Sequence, residues 1–220
     1  MSYKNEFKNC LDGLFESLCD VSDWMYENPE LGFQEFKTSK YLVDYIQKNS
    51  KSVNYPSHGL ETAFDITFGE EGPLTVICVE YDALPEIGHA CGHNIIATAS
   101  IGAGLGLKDI ATKLGIRVKL LGTPAEEGGG GKIVLINEGA FEDASCSMMI
   151  HPGYEDVVNP TFTTIEQYTI EYFGKDAHAA GAPDQGINAL DAQIQLFINA
   201  STYRQQMVQT NRMHGVIRDG

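Results

Sequence analysis

Histidine, cysteine and glutamate side chains directly follow three apolar runs in this sequence of 220 residues. In chain order they are His89, Cys91, His93, Glu126, Glu127 and His151. Imidazole, thiolate and carboxylate groups are the usual protein ligands of zinc and similar divalent ions. Because three separate parts of the sequence each supply such groups, the pattern favours a metal centre over unrelated structural roles.

The neighbouring carboxylates of Glu126 and Glu127 suit metal-assisted hydrolysis. One can bind an ion while the other accepts the proton of metal-activated water. The same base must then deliver that proton to the leaving nitrogen, because an amide anion does not depart unprotonated near neutral pH. The pair therefore predicts hydrolysis of an amide bond.

Other interpretations exist for each of these residues. Cys91 alone is typical of a small buried hydrophobic residue, and His151 alone of a hydrogen-bonded structural residue. Glu126 and Glu127 could belong to a solvated loop. A thiol-based activity is also open, with Cys91 as nucleophile and His89 or His93 as its base. Chelators would not affect that activity, whereas alkylation would block it.

A glycine-rich stretch, Gly128–Lys132, invites comparison with a phosphate-binding loop. The spacing of that motif requires glycine at the position of Glu126 and serine or threonine at the position of Ile133. An acidic pair would also repel phosphate. The sequence therefore argues against a nucleotide site.

Apolar periodicity predicts the elements that position the candidate ligands. A first helix contains Phe7 and Met25, a break follows at Asn28–Gly32, and a second helix covers Phe36–Ile46. Strands and helices then alternate at Ala63–Phe68, Leu74–Glu80, about Ile95–Leu114, Arg117–Leu121, Lys132–Glu138 and Ser145–Ile150. This order predicts an α/β fold with a mostly parallel sheet and flanking helices. Ligands of such folds bind beyond the carboxyl ends of the strands, where the candidate residues stand.

The pattern changes after residue 160. Ile165–Phe173 alternates like a half-exposed strand, and a helical pattern covers Asn188–Met207 after a turn rich in glycine and proline. We predict a catalytic domain over residues 1–160 and the start of an α+β domain over residues 161–220. One strand and one helix cannot bury their own apolar faces, so this second domain is expected to be incomplete.

Composition limits the classes of partner. Thirty acidic and fifteen basic residues give a net charge of −15, which argues against nucleic acid and anionic lipid. Five cysteines without close pairs do not form a disulfide framework. No apolar run reaches the roughly 20 residues that span a bilayer, and the N-terminus does not resemble a secretory signal. We expect a cytoplasmic protein without a membrane segment.

Several motifs, in order, resemble the dinuclear-metal aminoacylase and carboxypeptidase family of zinc-exopeptidase-like fold, which includes indole-acetyl-amino-acid hydrolases, aminobenzoyl-glutamate hydrolase and certain dipeptidases. The motifs are Asn28-Pro-Glu-Leu-Gly32, Asp82-Ala-Leu-Pro85, His89-Ala-Cys-Gly-His93, Pro124-Ala-Glu-Glu127, His151-Pro152 and Gly174-Lys-Asp-Ala-His178. Asn94, where many amidohydrolase relatives carry aspartate, and the Gly128–Lys132 stretch look most like the dipeptidase branch near β-alanyl-lysine dipeptidase.

The resemblance implies two divalent metal ions and an amide substrate, either an N-acyl amino acid or a dipeptide. It implies Cys91, His93, Glu127 and His151 as metal ligands and Glu126 as general base. Asp82 would support the ligands from behind, and His178 would contact substrate from a lid domain, possibly in a homodimer. Cysteine ligation favours zinc, whereas similarity to the amidohydrolases suggests manganese.

The family continues well beyond the length of this sequence and supplies another histidine ligand from its later part. His214 does not match that position, because it lies in the lid-like segment. An alternative expectation is therefore a truncated, catalytically inactive fragment that binds metal or self-associates through an exposed strand.

Overall fold

The computed structural model describes residues 2–158 and 160–220, in which helices and strands alternate along the chain. The helices are α1 (Tyr3–Glu27), α2 (Phe36–Asn49), α3 (His93–Leu107), α4 (Ala111–Leu114), α5 (Gly131–Asn137) and α6 (Ala189–Tyr203). The strands are β1 (Asp65–Phe68), β2 (Leu74–Val79), β3 (Arg117–Gly122) and β4 (Ala144–Met148). This order confirms the predicted α/β class.

The four strands form one sheet in the order β1-β3-β2-β4. The pairs β2–β3 and β2–β4 are parallel, whereas β1 runs antiparallel to β3. Ile77 of β2 lies opposite Leu120 of β3 and Met148 of β4. The carboxyl ends of β2, β3 and β4 therefore meet at the same edge of the sheet.

Helix α3 packs closely on this sheet and on α1, because small residues line its surface. At Gly104 a Cβ atom would lie 2.5 Å from the Cγ of Leu120, and at Gly106 it would lie 2.7 Å from the ring of Phe7. Contacts this short leave no space for a side chain at either position. The neighbouring Ile101 and Leu105 are fully buried in the main core. The glycines thus bring the start of α3 to the sheet edge.

The first helix, α1, buries only one face, formed by Leu18, Val21 and Met25. This spacing is that of an amphipathic helix whose other face meets water. Across the part of the chain that the structure describes, no helix is both long and apolar enough to cross a membrane.

The prediction of one helix from Ile95 to Leu114 is wrong at both its start and its middle. Helix α3 begins at His93, because Gly92 adopts a left-handed conformation with φ of 78° and starts the helix. A turn then separates α3 from α4, and in it the N–H of Ile110 bonds to the carbonyl of Leu107 at 3.0 Å. Ile110 is buried in this turn. The apolar pattern therefore continues through the break and conceals it.

The described residues divide into two compact units, one ending at Asp156 and the other beginning at Val157. The predicted boundary between residues 160 and 161 stays a prediction, since close packing within a unit does not show that it folds alone. In the second unit, the predicted helix over Asn188–Met207 is confirmed for most of its length. Asn188 caps it by accepting a hydrogen bond from the N–H of Leu190 at 3.0 Å.

The predicted strand over Ile165–Phe173 is wrong. A strand needs a neighbour that satisfies its backbone hydrogen-bonding groups. Within the described residues of this unit, antiparallel pairing is limited to a single bridge between Lys175 and Ile187. Alternating residues predicted a strand, but the partner that would form a ladder with it is not among these residues.

Candidate metal centre

The end of each parallel strand carries a residue with a candidate ligand group. Glu80 and Asp82 follow β2, Glu126 and Glu127 follow β3, and His151 follows β4 after two residues. His93 joins them because it is the first residue of α3. The sheet thus collects at one edge groups that are far apart in sequence.

Asp82 orients the ring of His93. Its Oδ1 lies 3.1 Å from Nδ1 of His93, and its Oδ2 accepts a hydrogen bond from the N–H of Glu127 at 2.8 Å. Both side chains are buried. When Nδ1 donates to the carboxylate, Nε2 of the neutral ring carries a lone pair, which is the arrangement of a metal-binding histidine.

Electrostatic effects around this pair oppose burial. Burial raises the pKa of Asp82, but hydrogen bonds from His93 and the Glu127 amide lower it more, so the pKa is below its ordinary value. Burial lowers the pKa of His93, but the hydrogen bond and charge of Asp82, with Glu80 and Glu127, raise it overall. The negative charge here thus favours a cation at His93, whether a proton or a metal ion.

The free ring nitrogen of His93 faces three carboxylates. Nε2 is buried and has no hydrogen-bond partner. It lies 3.5 Å from Oε2 of Glu80, 3.8 Å from Oε1 of Glu127 and 3.9 Å from Oε2 of Glu126. Ligand atoms about 2.1 Å from a tetrahedrally coordinated ion lie about 3.4 Å from one another. The separations therefore fit donors arranged around a divalent ion.

Two overlapping groups of ligand atoms, each within 4.8 Å, occur at this edge. One contains Glu80, His93 and His151, and the other contains His93, Glu126 and Glu127. His151 is exposed, and its ring stands perpendicular to that of His93 with 6.1 Å between the ring centres. Its Nδ1 lies 2.8 Å from the carbonyl oxygen of Pro152, which leaves Nε2 available. The residues present fit a metal ion at His93.

Cys91 lies beside the centre but belongs to neither group of the described residues. A hydrogen bond with Glu127, burial and the nearby negative charges raise the pKa of its thiol to about 11. A nucleophilic cysteine requires the opposite shift. This environment argues against the thiol-based activity, whereas a bound cation would favour the thiolate as a ligand. Metal ligation by Cys91 stays a prediction.

Glu126 stands in a loop that two buried carboxylates hold. On one side, Glu35 accepts a hydrogen bond from the N–H of Ala125 at 2.8 Å; on the other, Asp82 accepts one from the N–H of Glu127. Ala125 has a φ of 55°, which is uncommon for a residue with a side chain. The two hydrogen bonds keep this loop in place, with the Glu126 side chain about half exposed.

The charge around Glu126 suits a proton acceptor. Burial and the charge of Glu80 raise its pKa above the ordinary value of 4.5, and Lys132 partly opposes them. A raised pKa makes a carboxylate a stronger base. Its proposed role as general base has this physical support but stays a prediction.

Sequence reasoning missed Glu35 and Glu80. The sequence pattern places Glu80 in the predicted strand Leu74–Glu80, although a charged residue at the end of a buried strand is itself a signal. Glu35 lies three residues after the Asn28–Gly32 motif and is fully buried. Its local sequence contains no comparable signal, because its partners are Ala125 and Thr62.

His178 lies in the second unit, where it is exposed. Its Nδ1 accepts hydrogen bonds from the N–H groups of Ala180 and Gly181 at 3.2 and 2.9 Å. These contacts order its own turn. Contact of His178 with a substrate stays a prediction.

A cleft of about 530 Å³ borders the centre. Its lining includes Cys91 and His151, with Tyr26 and Ile95 presenting exposed apolar surface. A small molecule with polar and apolar parts could lie there beside the candidate ligands.

Comparison with known proteins adds three findings, although no family model matches the chain. The Xaa-Arg dipeptidase of Mus musculus is 38% identical over 224 residues, covering 96% of this chain and 52% of that protein. The p-aminobenzoyl-glutamate hydrolase of Escherichia coli K12 is 28% identical over 218 residues in one of its subunits, covering 90% of this chain and 45% of that protein. A dinuclear metal binding peptidase from the M20 family of Bacillus subtilis superposes with a TM-score of 0.55 at 25% identity, covering 62% of this chain and 42% of that chain. The chain spans about half the length of the curated relatives it matches.

Proposed function

Since the chain belongs to the M20 family of dinuclear-metal aminoacylases, carboxypeptidases and dipeptidases, we propose that its metal centre hydrolyses the amide bond of a dipeptide or an N-acyl amino acid. One observation carries the proposal. The buried Nε2 of His93 has no hydrogen-bond partner and faces the carboxylates of Glu80, Glu126 and Glu127. Burial of such donors without a cation between them is costly.

We propose that the centre holds two divalent ions. His93, Glu127 and His151 would bind them, with Cys91 as a further ligand. Bound ions would polarise the amide carbonyl and lower the pKa of water. A thiolate ligand favours zinc, whereas the carboxylates also suit manganese, so both metals are candidates.

The residues of the chain divide the remaining chemistry between them. Glu126 accepts a proton from water and donates it to the leaving nitrogen, as its raised pKa supports. Asp82 keeps Nε2 of His93 directed at the centre through the hydrogen bond to Nδ1. His178 of the second unit would contact the substrate, in the same chain or in a homodimer.

We propose a dipeptide with a basic side chain as the preferred substrate. The relative from mouse is named for cleavage before arginine. The chain has a net charge of −15, which raises the local concentration of cationic molecules. A reducing cytoplasm remains the proposed compartment, because all five cysteines are free.

The test is an assay of purified chain on Xaa-Arg and Xaa-Lys dipeptides, Xaa-Glu dipeptides and N-acetyl amino acids. Hydrolysis that a chelator abolishes and a divalent ion restores would support the proposal. The Glu126→Gln variant serves as the matched control, because it should keep the metal and lose turnover. Hydrolysis that is blocked by alkylation and unaffected by chelator would contradict it.

The alternative of a metal-binding or self-associating chain without turnover has one observation in its favour, the half-length coverage of the relatives. The same experiment separates the two functions. Metal binding without hydrolysis of any substrate in the panel would favour this alternative.

A further inference from the structure

Glu80 is a buried carboxylate at the centre of the ligand groups that the predicted metal ligands do not include. It directly follows β2, and its side chain is 2% exposed. One oxygen, Oε1, pairs with Nζ of Lys132. The other, Oε2, is buried and has no hydrogen-bond partner. Half of this carboxylate is therefore available to another cation.

The nearest group to that free oxygen is Nε2 of His93, at 3.5 Å. Because Nδ1 of His93 faces Asp82, Nε2 of the neutral ring is an acceptor rather than a donor. Two buried acceptors that face one another both lose their hydration and gain no hydrogen bond. A divalent cation between them would satisfy both atoms.

His151 completes this arrangement. Its ligand nitrogen lies within 4.8 Å of those of Glu80 and His93. Three donors from β2, α3 and the residues after β4 thus surround a common point. They form a second group beside the one that contains Glu126 and Glu127.

We propose that Glu80 is itself a ligand of a divalent ion, together with His93 and His151. The proposal rests on the metal centre of the proposed function. Lys132 holds Oε1 and so presents Oε2 alone to the ion. An added carboxylate ligand makes the centre harder and shifts its preference towards manganese.

The ion pair with Lys132 allows a competing explanation in which Glu80 only neutralises a partly buried lysine. Glu80→Gln by itself does not separate the two roles, since it leaves Lys132 without a partner. The double variant Glu80→Gln/Lys132→Met removes both charges. A purely structural pair predicts that this double variant folds and binds Mn²⁺ as the wild type does.

The experiment measures Mn²⁺ affinity by titration calorimetry and the spectrum of bound Mn²⁺ by electron paramagnetic resonance. We expect Glu80→Gln and the double variant to bind Mn²⁺ about tenfold or more weakly, with an altered spectrum. The matched control is Glu6→Gln/Lys113→Met, which removes the exposed pair between Glu6 and Lys113. That control should leave both measurements unchanged.

Wild-type affinity in the double variant would overturn the assignment of Glu80 and leave the metal centre standing. A wild type that binds no Mn²⁺ would instead overturn the proposed function. If the double variant does not fold, Glu80→Asp decides, because it keeps the charge and withdraws the oxygen by one methylene. Weaker binding by Glu80→Asp supports ligation, and unchanged binding contradicts it.

Discussion

The carboxylate of Glu35 accepts a hydrogen bond from the N–H of Ala125 at 2.8 Å, across 90 residues of sequence. Its second oxygen accepts a hydrogen bond from the hydroxyl of Thr62 at 3.0 Å. Glu35 and Ala125 are both fully buried. A residue just before α2 therefore fixes the backbone beside Glu126, the proposed general base.

Replacement of Glu35 by alanine should loosen this loop. The change leaves the N–H of Ala125 and the hydroxyl of Thr62 without a partner, and each unsatisfied buried group costs about 1–3 kcal/mol. We expect faster amide exchange at Ala125 in Glu35→Ala than in the wild type. Glu35→Gln keeps an acceptor oxygen and should exchange more slowly than Glu35→Ala. Equal exchange in all three proteins would contradict the role of this contact.

Glu35 also predicts a dependence of stability on pH. Burial raises its pKa above the ordinary value of 4.5, although hydrogen bonds from its own amide, Ala125 and Thr62 partly lower it. The folded state then binds the proton more tightly than the unfolded state does. The contribution of Glu35 is therefore most favourable at low pH, and it declines as pH rises from about 4.5 through the raised pKa.

Urea denaturation at several pH values measures this effect. Because other carboxylates also titrate, the relevant quantity is the free energy of unfolding of the wild type minus that of Glu35→Gln. We expect this difference to become more negative as pH increases above about 4.5. A difference that stays constant would show that Glu35 has an ordinary pKa.

Asp82→Asn should weaken metal binding without removing a ligand. Asparagine has a single acceptor oxygen, so it cannot accept hydrogen bonds from both His93 and the N–H of Glu127 as Asp82 does. Loss of such supporting contacts typically reduces metal affinity about 10–100-fold. Calorimetric titration with Zn²⁺ or Mn²⁺ measures the change. Unchanged affinity would mean that Asp82 does not orient His93 for the ion.

The close packing of α3 on the sheet predicts opposite effects at two helical glycines. Gly104→Ala places a Cβ 2.5 Å from Leu120, and overpacking of this kind costs about 1–3 kcal/mol. Gly13 lies exposed in α1 with no atom within 4 Å of a new Cβ, so Gly13→Ala should stabilise by about 0.5–1 kcal/mol. Thermal unfolding of both variants tests this contrast. Destabilisation by both would contradict the packing described.

The sequence predicted the sheet well, because its strands are short apolar runs with charged residues at their ends. The observed bounds of β2 and β3 differ from the predicted ones by a single residue. The turn between α3 and α4 was missed because Ile110 and Ala111 are buried on both sides of it. The failed strand at Ile165–Phe173 had the right alternation, but strand formation depends on a partner that alternation does not reveal.

The candidate centre was predictable to the extent that its residues follow strands. His93, Glu126, Glu127 and His151 could be found by asking what stands at each strand end. Glu35 could not, because its importance arises from the N–H of Ala125, to which it is joined only by the fold. Long-range hydrogen bonds of this kind have no local signature.

The most direct test of the metal centre is the number of divalent ions bound per chain, measured by elemental analysis after purification without chelator. The wild type and Glu126→Gln should retain up to two ions, because Glu126 is proposed as a base. Glu127→Gln should lose at least one of them, because it replaces a proposed ligand with a side chain of the same shape. A wild type without bound metal, or full retention by Glu127→Gln, would contradict the metal centre.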